Sequence, residues 1–227
     1  MQGWIDRLDL SIQKKHMLST PFYQAWTRGE LTKPLLQEYA KEYYHHVKAF
    51  PTYISALHSR CDDEETRRSL LENLIDEEAG HPNHPELWKR FALALNVDAV
   101  ELETSKPKPA VRQLIEHFRT LCSSAPLSVG IAALYCYESQ IPSLCQTKID
   151  GLKKWYGFKN PENYHYFSVH ELADVEHSQS EKMLLMKHVR SEKEENQVLE
   201  QAEKILNSLW NFLNSFLPEH CAGTLLP

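Results

Sequence analysis

Glycine is scarce, at 7 of 227 residues. The chain has no GxGxxG turn, no P-loop and no GxSxG elbow. That excludes the glycine-built cradles for dinucleotides and phosphates and the usual hydrolase nucleophile turn. Cysteine is also sparse. Cys61, Cys122, Cys136, Cys145 and Cys221 are odd in number and form no CxxC pair, which fits reduced thiols in a cytoplasmic protein, acting as small hydrophobes. No run approaches the roughly 20 apolar residues of a membrane span. The opening "MQGWIDRLDLSIQKKH" lacks the apolar stretch of a secretion signal. Lys+Arg is 25 against Asp+Glu at 31, a formal net charge of −6, with no basic stripe or Arg-rich arm, so nucleic acid and membrane surfaces are not expected partners. No alternating strand pattern of useful length occurs.

What remains reads as helix. Segment 4–27 carries apolar residues at helical spacing, ending in Phe22, Tyr23 and Trp26. Thr32 followed by Pro34 is a helix start for "KPLLQEYAKEYYHHVKAF", and Pro51 predicts a kink or break. "DDEETRRSLLENLIDEEAG" opens with acids that suit a helix N-terminus. A disturbance at Gly80 and Pro82 precedes "HPELWKRFALALNV", and a polar loop follows at "ELETSKPKP". Further helices are expected over about 109–122, 126–156, 161–188 and 192–217. The architecture is one all-α bundle of seven or eight helices over residues 1–217. The tail 218–227 is expected to be loose.

Histidine is plentiful, at 12, and its placement is not random. In "HELADVEH", His170, Asp174 and His177 lie at i, i+4 and i+7, within about 60° of one another on a helix. A solvated face has no need for that spacing. "IDEEAGHPNH" offers Glu77 with His84 at i+7, or with His81 at i+4. Pro82 disturbs the helix there, so spacing does not choose between the histidines. In "ALYCYESQIP", Glu138 sits among Ala132, Ala133, Leu134, Tyr135 and Tyr137, an apolar setting that is costly for a carboxylate unless it is paired or metal-bound. Together these segments supply three carboxylates and three imidazoles, a donor set suited to iron or manganese in a bundle core. Each piece also has a plainer explanation. Glu77 would fit a solvated helix end, His84 a cap, and Glu138 a buried pair with Lys or Arg.

The motifs "FYQAW", "YAKEYYHHVKAFP", "HSRCDDEETR", "DEEAGHPNH", "ALYCYESQIP" and "HELADVEH" run through nearly the whole chain. In them the sequence resembles the chlamydial protein associating with death domains and its bacterial relatives. That family shares the haem-oxygenase-like helical fold with the coenzyme PQQ synthesis protein C and the TenA thiaminases. The resemblance implies an oxygen-dependent dimetal oxidase that makes p-aminobenzoate for folate. The metal pair would be Fe/Fe or Mn/Fe, with dioxygen and a reductant as co-substrates. It implies Glu77, His84, Glu138, His170, Asp174 and His177 as ligands, with His84 preferred to His81. It further implies Tyr23, in "PFYQAW", as the source of the ring and Lys148, in "QTKID", as the amino donor, with Tyr23 within reach of the metals. A homodimer and host death-domain proteins are the partners it suggests.

Three rival functions fit parts of the same sequence. One is a death-domain-binding module, which would not need six buried ligands. Another is a metal-free oxidase resembling the PQQ synthesis protein, whose polycarboxylate precursor three carboxylates would repel. The third is TenA-like thiamine salvage with Cys136 as nucleophile.

Overall fold

The computed structural model describes residues 3–217; the expected loose tail 218–227, with Cys221, lies outside the described residues. Eleven α-helices run through them, and they contain no strand. In chain order these are α1 (Trp4–Lys14), α2 (Pro21–Arg28), α3 (Lys33–Ser59), α4 (Glu64–Glu78), α5 (His84–Ala94) and α6 (Ala99–Thr104). α7 (Pro109–Ser124), α8 (Leu127–Glu138), α9 (Ile141–Trp155), α10 (His165–His188) and α11 (Glu192–Asn214) follow. No helix among the described residues is long and apolar enough to cross a membrane.

The helical class is as expected, but the helices are more finely divided. Segment 4–27 is broken by a 3-10 turn at Met17–Ser19, and α2 restarts behind Thr20, whose hydroxyl accepts from Tyr23 N–H. The single helix expected over 126–156 is two. Pro142 has no N–H to offer the Glu138 carbonyl, so the helical ladder stops there and resumes in α9. The first four residues of the expected polar loop belong instead to α6, which starts at Ala99 behind the Asp98 cap. Conversely, α3 runs unbroken through Pro51. The one lost hydrogen bond lies in a 27-residue helix packed against both α4 and α7, so tertiary packing outweighs the proline.

α8 is the central element. It is buried from Ser128 to Glu138, as a helix apolar on all sides should be. Gly130 permits this: a Cβ there would meet the Leu121 carbonyl oxygen at 3.1 Å and Cys122 Cα at 3.3 Å on α7. α7, α10 and α11 surround it, and α3 packs across α4, α5 and α7. The helix α10 is unusual in what it hides. Its buried stripe includes His170, Asp174, His177 and Glu181, while Leu172, Val175, Met183 and Met186 face outward.

Candidate metal centre

Three local features bring the polar residues together. Glu77 lies in the last turn of α4. The chain then leaves the helix and restarts at His84, the first residue of α5. Asn83 caps that restart: its side chain accepts from Glu86 N–H at 3.0 Å, and its own N–H donates to Glu86 at 3.1 Å. Such a cap contributes about 1 kcal/mol and fixes the first turn of α5, from which His84 projects inward. Glu138 is the last residue of α8, placed by the break after it. His170, Asp174 and His177 form one stripe of α10. His81, the alternative to His84, is exposed.

All six residues are buried, in two groups. Glu77, His84 and His170 present ligand atoms within 4.8 Å of one another, and so do Glu138, Asp174 and His177. His84 Nδ1 lies 3.0 Å from Glu77 Oε2, and His170 Nε2 lies 3.8 Å from Glu77 Oε1. His177 Nδ1 lies 3.5 Å from Asp174 and 3.6 Å from Glu138. A cavity of about 10 Å³ between the groups is lined by Glu77, Glu138, His170 and Asp174, with Tyr137 and Tyr166 beside them.

The outer contacts set which imidazole nitrogens face inward. His170 Nδ1 lies 2.8 Å from the Tyr166 carbonyl, which can only accept. Nδ1 therefore donates there, which leaves Nε2 as the nitrogen that faces Glu77. His177 Nε2 lies 3.0 Å from Asp76 Oδ2, so Nε2 donates and Nδ1 faces Glu138 and Asp174. Fixing a ligand histidine through its far nitrogen is the usual arrangement around a bound metal. Asn73 Nδ2 donates to both Glu138 oxygens, at 3.0 and 3.3 Å. The ion pairs of the six residues are with one another or with Asp76, and none is with Lys or Arg among the described residues.

The electrostatics are those of a site short of positive charge. Burial, with Glu138 and Glu77 adding, pushes the Asp174 carboxyl up to about 6 against the pull of His177 and His170. Burial disfavours His177's charge, yet Asp174, Glu138 and Asp76 carry its pKa up to about 11. Burial likewise works against the Glu77 carboxylate, but His84 and His170 hold it below the usual carboxylate range. Asp174 Oδ2 and His177 Nδ1 have no hydrogen-bond partner although fully enclosed, and His84 Nδ1 has only the Glu77 carboxylate beside it. A buried polar atom left unpaired costs roughly 1–3 kcal/mol. Carboxylate oxygens and imidazole nitrogens converging in this way fit a pair of divalent cations.

A second polar island lies elsewhere in the core. Lys148, on α9, is 2% exposed, and no carboxylate pairs with it among the described residues. Aromatic rings take that place. Its Nζ is 5.6 Å from the centre of the Tyr23 ring, 5.2 Å from Tyr43 and 4.9 Å from Phe167; Tyr39 and Trp88 both lie at 5.7 Å. Burial draws its pKa down to about 8. Tyr23 is fully buried on α2, and burial raises its phenol well above 10.

Tyr23 is not among the residues lining the cavity between the carboxylates. It reaches that cavity through other tyrosines. Its hydroxyl is 3.3 Å from that of Tyr39, the Tyr39 and Tyr43 ring centres are 5.3 Å apart, and the Tyr43 hydroxyl is 2.7 Å from that of Tyr137, which lines the cavity. The roles that sequence reading did not assign are those of the bridging tyrosines Tyr39, Tyr43 and Tyr137 and of Asn73, Asp76 and Glu181. Only Glu181 had a visible signal, since it continues the stripe of His170, Asp174 and His177 by four more residues. Cys136, the nucleophile of the rival thiamine-salvage reading, is fully buried, and burial raises its thiol pKa; a thiol so held is a poor nucleophile.

A helical bundle with a buried carboxylate–imidazole centre defines the class. The chain belongs to the TENA/THI-4/PQQC family, whose model matches residues 5–222. It is 51% identical over 220 residues to a 4-aminobenzoate synthase of Chlamydia muridarum, covering 96% of this chain and 92% of that one. It is 40% identical over 228 residues to a 4-aminobenzoate synthase of Nitrosomonas europaea, covering 96% and 93%. Among solved structures it resembles a Shewanella denitrificans domain of unknown function with a haem-oxygenase-like fold. The TM-score is 0.78 at 17% identity, over 93% of this chain and 89% of that one.

Proposed function

We propose that this chain is an oxygen-dependent 4-aminobenzoate synthase that takes the aromatic ring from its own Tyr23 and the amino nitrogen from Lys148. The similarity to proteins named as 4-aminobenzoate synthases supports the product. The observation that carries the choice of sources is the cage: a buried lysine, free of any carboxylate partner, shares its enclosure with a fully buried tyrosine ring.

The product fixes which bonds change. 4-Aminobenzoate has one carbon on the ring and a nitrogen opposite it. A ring drawn from Tyr23 brings Cβ as that carbon, so the bond broken is Cα–Cβ. Cβ rises from methylene to carboxylate with dioxygen as oxidant, the phenolic C–O is exchanged for C–N, and the Lys148 Cε–Nζ bond breaks so that the nitrogen leaves with the ring. With a pKa near 8, about a tenth of Lys148 is free amine at pH 7, the form that can form a bond to carbon. Tyr39 and Tyr43 position the Tyr23 phenol and connect it by hydroxyl and ring contacts to Tyr137. The aromatic enclosure excludes water, which would otherwise compete with the amine.

Glu77, His84 and His170 would hold one ion, and Glu138, Asp174 and His177 the other, as Fe/Fe or Mn/Fe. When bound, such a pair supplies the activation of dioxygen with electrons from a reductant. The carboxylates offset its charge, and Tyr166 and Asp76 hold the two histidines in their ligating tautomers.

Protein grown on ring-¹³C tyrosine and ¹⁵N lysine, given reductant and dioxygen but no free amino acids, should release doubly labelled 4-aminobenzoate, with a single equivalent per chain as the ceiling. Tyr23→Phe should fold, bind metal normally and release none. Unlabelled product, or normal product from Tyr23→Phe, would refute the self-derived ring.

A further inference from the structure

The stripe of α10 does not end at His177. Glu181 is one turn further on, 3% exposed, and both of its carboxylate oxygens lack a hydrogen-bond partner. It lies beside Glu138. No lysine or arginine pairs with Glu181 among the described residues. Two buried carboxyl groups placed side by side are held together either by a shared proton or by a cation that takes its place.

Next to Glu181 a cleft of about 100 Å³ opens from the surface. Glu72, Asp76 and Glu176 line it and are exposed, while Asn73 and His177 form part of its inner wall. Asp76 and Asn73 already touch the centre, the first through His177 and the second through Glu138. The cleft therefore leads from exposed acids, past Glu181, to the Glu138–Asp174–His177 group. Glu181 stands outside the tight 4.8 Å groups, on the side from which a cation would come.

We infer that this cleft is the loading port for a divalent transition-metal ion, and that Glu181 is its inner ligand, passing the ion to Glu138, Asp174 and His177. The inference rests on the proposed dimetal site, and the test separates the two. Metal-free, full-length protein is mixed with cobalt(II), and uptake is followed by the visible absorption of the bound ion, with total metal as the end point. Wild type should load two ions. Glu181→Gln should load one of them about tenfold more slowly or worse, the scale of effect expected for groups just outside a metal's primary ligands. The other ion should load at the wild-type rate. Glu77→Gln, which weakens the other group, assigns the two phases. Circular dichroism checks the fold, and Glu181→Asp, which withdraws the carboxylate by one methylene, carries the same test should the glutamine variant not fold. Loading of both ions at wild-type rates in Glu181→Gln overturns the port. Wild type that takes up no cobalt overturns the port and the dimetal site together.

Discussion

The core contains two polar islands built on opposite principles. Around His170, Asp174 and His177, charged groups crowd together with too little positive charge, and several atoms have no partner. Around Lys148 a single cation stands alone, and its surroundings are ring faces rather than counter-ions. Burial works against charge in both. In the first it is resisted by neighbours of opposite sign, so the site stays ionic and waits on cations. In the second no counter-ion is in contact, and the pull of Cys145 and Asp174 is too weak to offset burial, so the lysine moves toward its neutral form. The same desolvation thus acts on a candidate metal centre in one place and on a buried amine in the other; what differs is whether charged groups are in direct contact.

Breaking the ionic island should have the largest effect. Asp174→Asn keeps the shape but removes a charge that both groups feel, so affinity for at least one ion should fall by 10-fold or more, on the order seen for changes at metal sites. Total metal per chain and oxygen consumption would show it, and unchanged values would remove Asp174 from the ligand set.

The lysine island should respond in the opposite direction. Lys148→Met keeps the packing and deletes the buried amine. Product should be lost, yet the metal-free protein should be more stable at pH 7 by about 3 kcal/mol, the cost of drawing the lysine from 10.5 to about 8. The sign follows from proton counting. Between about 8 and 10.5 the unfolded chain holds a proton that the folded chain has lost, so wild-type stability rises with pH across that window. Below it the penalty is present in full. Chemical denaturation of wild type and variant at pH 7 and 10 would show a gap that narrows as pH rises; a constant gap would mean that the amine is not the cause.

The smallest effect is the control. Glu171 lies about 100° from the ligand stripe of α10, so Glu171→Gln should leave metal content unchanged and shift stability by no more than about 0.5 kcal/mol. A loss of metal there would blur the line between the two faces of the helix.

Much of this was legible in the sequence, though not always for the right physical reason. The stripe of His170, Asp174 and His177 is a true helical periodicity. Glu138 stood out because a carboxylate in an apolar run needs a partner, and α8 proves to be buried on every side. Glu77 and His84 meet for a different reason from the i, i+7 rule, since the helix ends between them and a capped restart turns His84 inward. The splitting of 126–156 was missed although Pro142 marks it, whereas the break considered at Pro51 does not occur, because packing on both flanks of α3 keeps the helix continuous. The lysine cage was not legible at all. It is assembled from α2, α3, α5, α9 and α10, and no local spacing reports that five aromatic rings will converge on one amine.

Tyr23 is sealed in the core with no exposed surface, and under the proposed reaction that has a consequence for the chain after it has acted. A ring surrendered from a closely packed interior leaves its own volume behind. Removing a large aromatic side chain from a core costs on the order of 3–5 kcal/mol, a large share of the 5–15 kcal/mol that holds a typical domain together. The used polypeptide would therefore be a weakened fold, more readily opened than the fresh one. Spent copies would mark themselves for proteolysis, and the supply of product would be set by synthesis of the chain rather than by its turnover number.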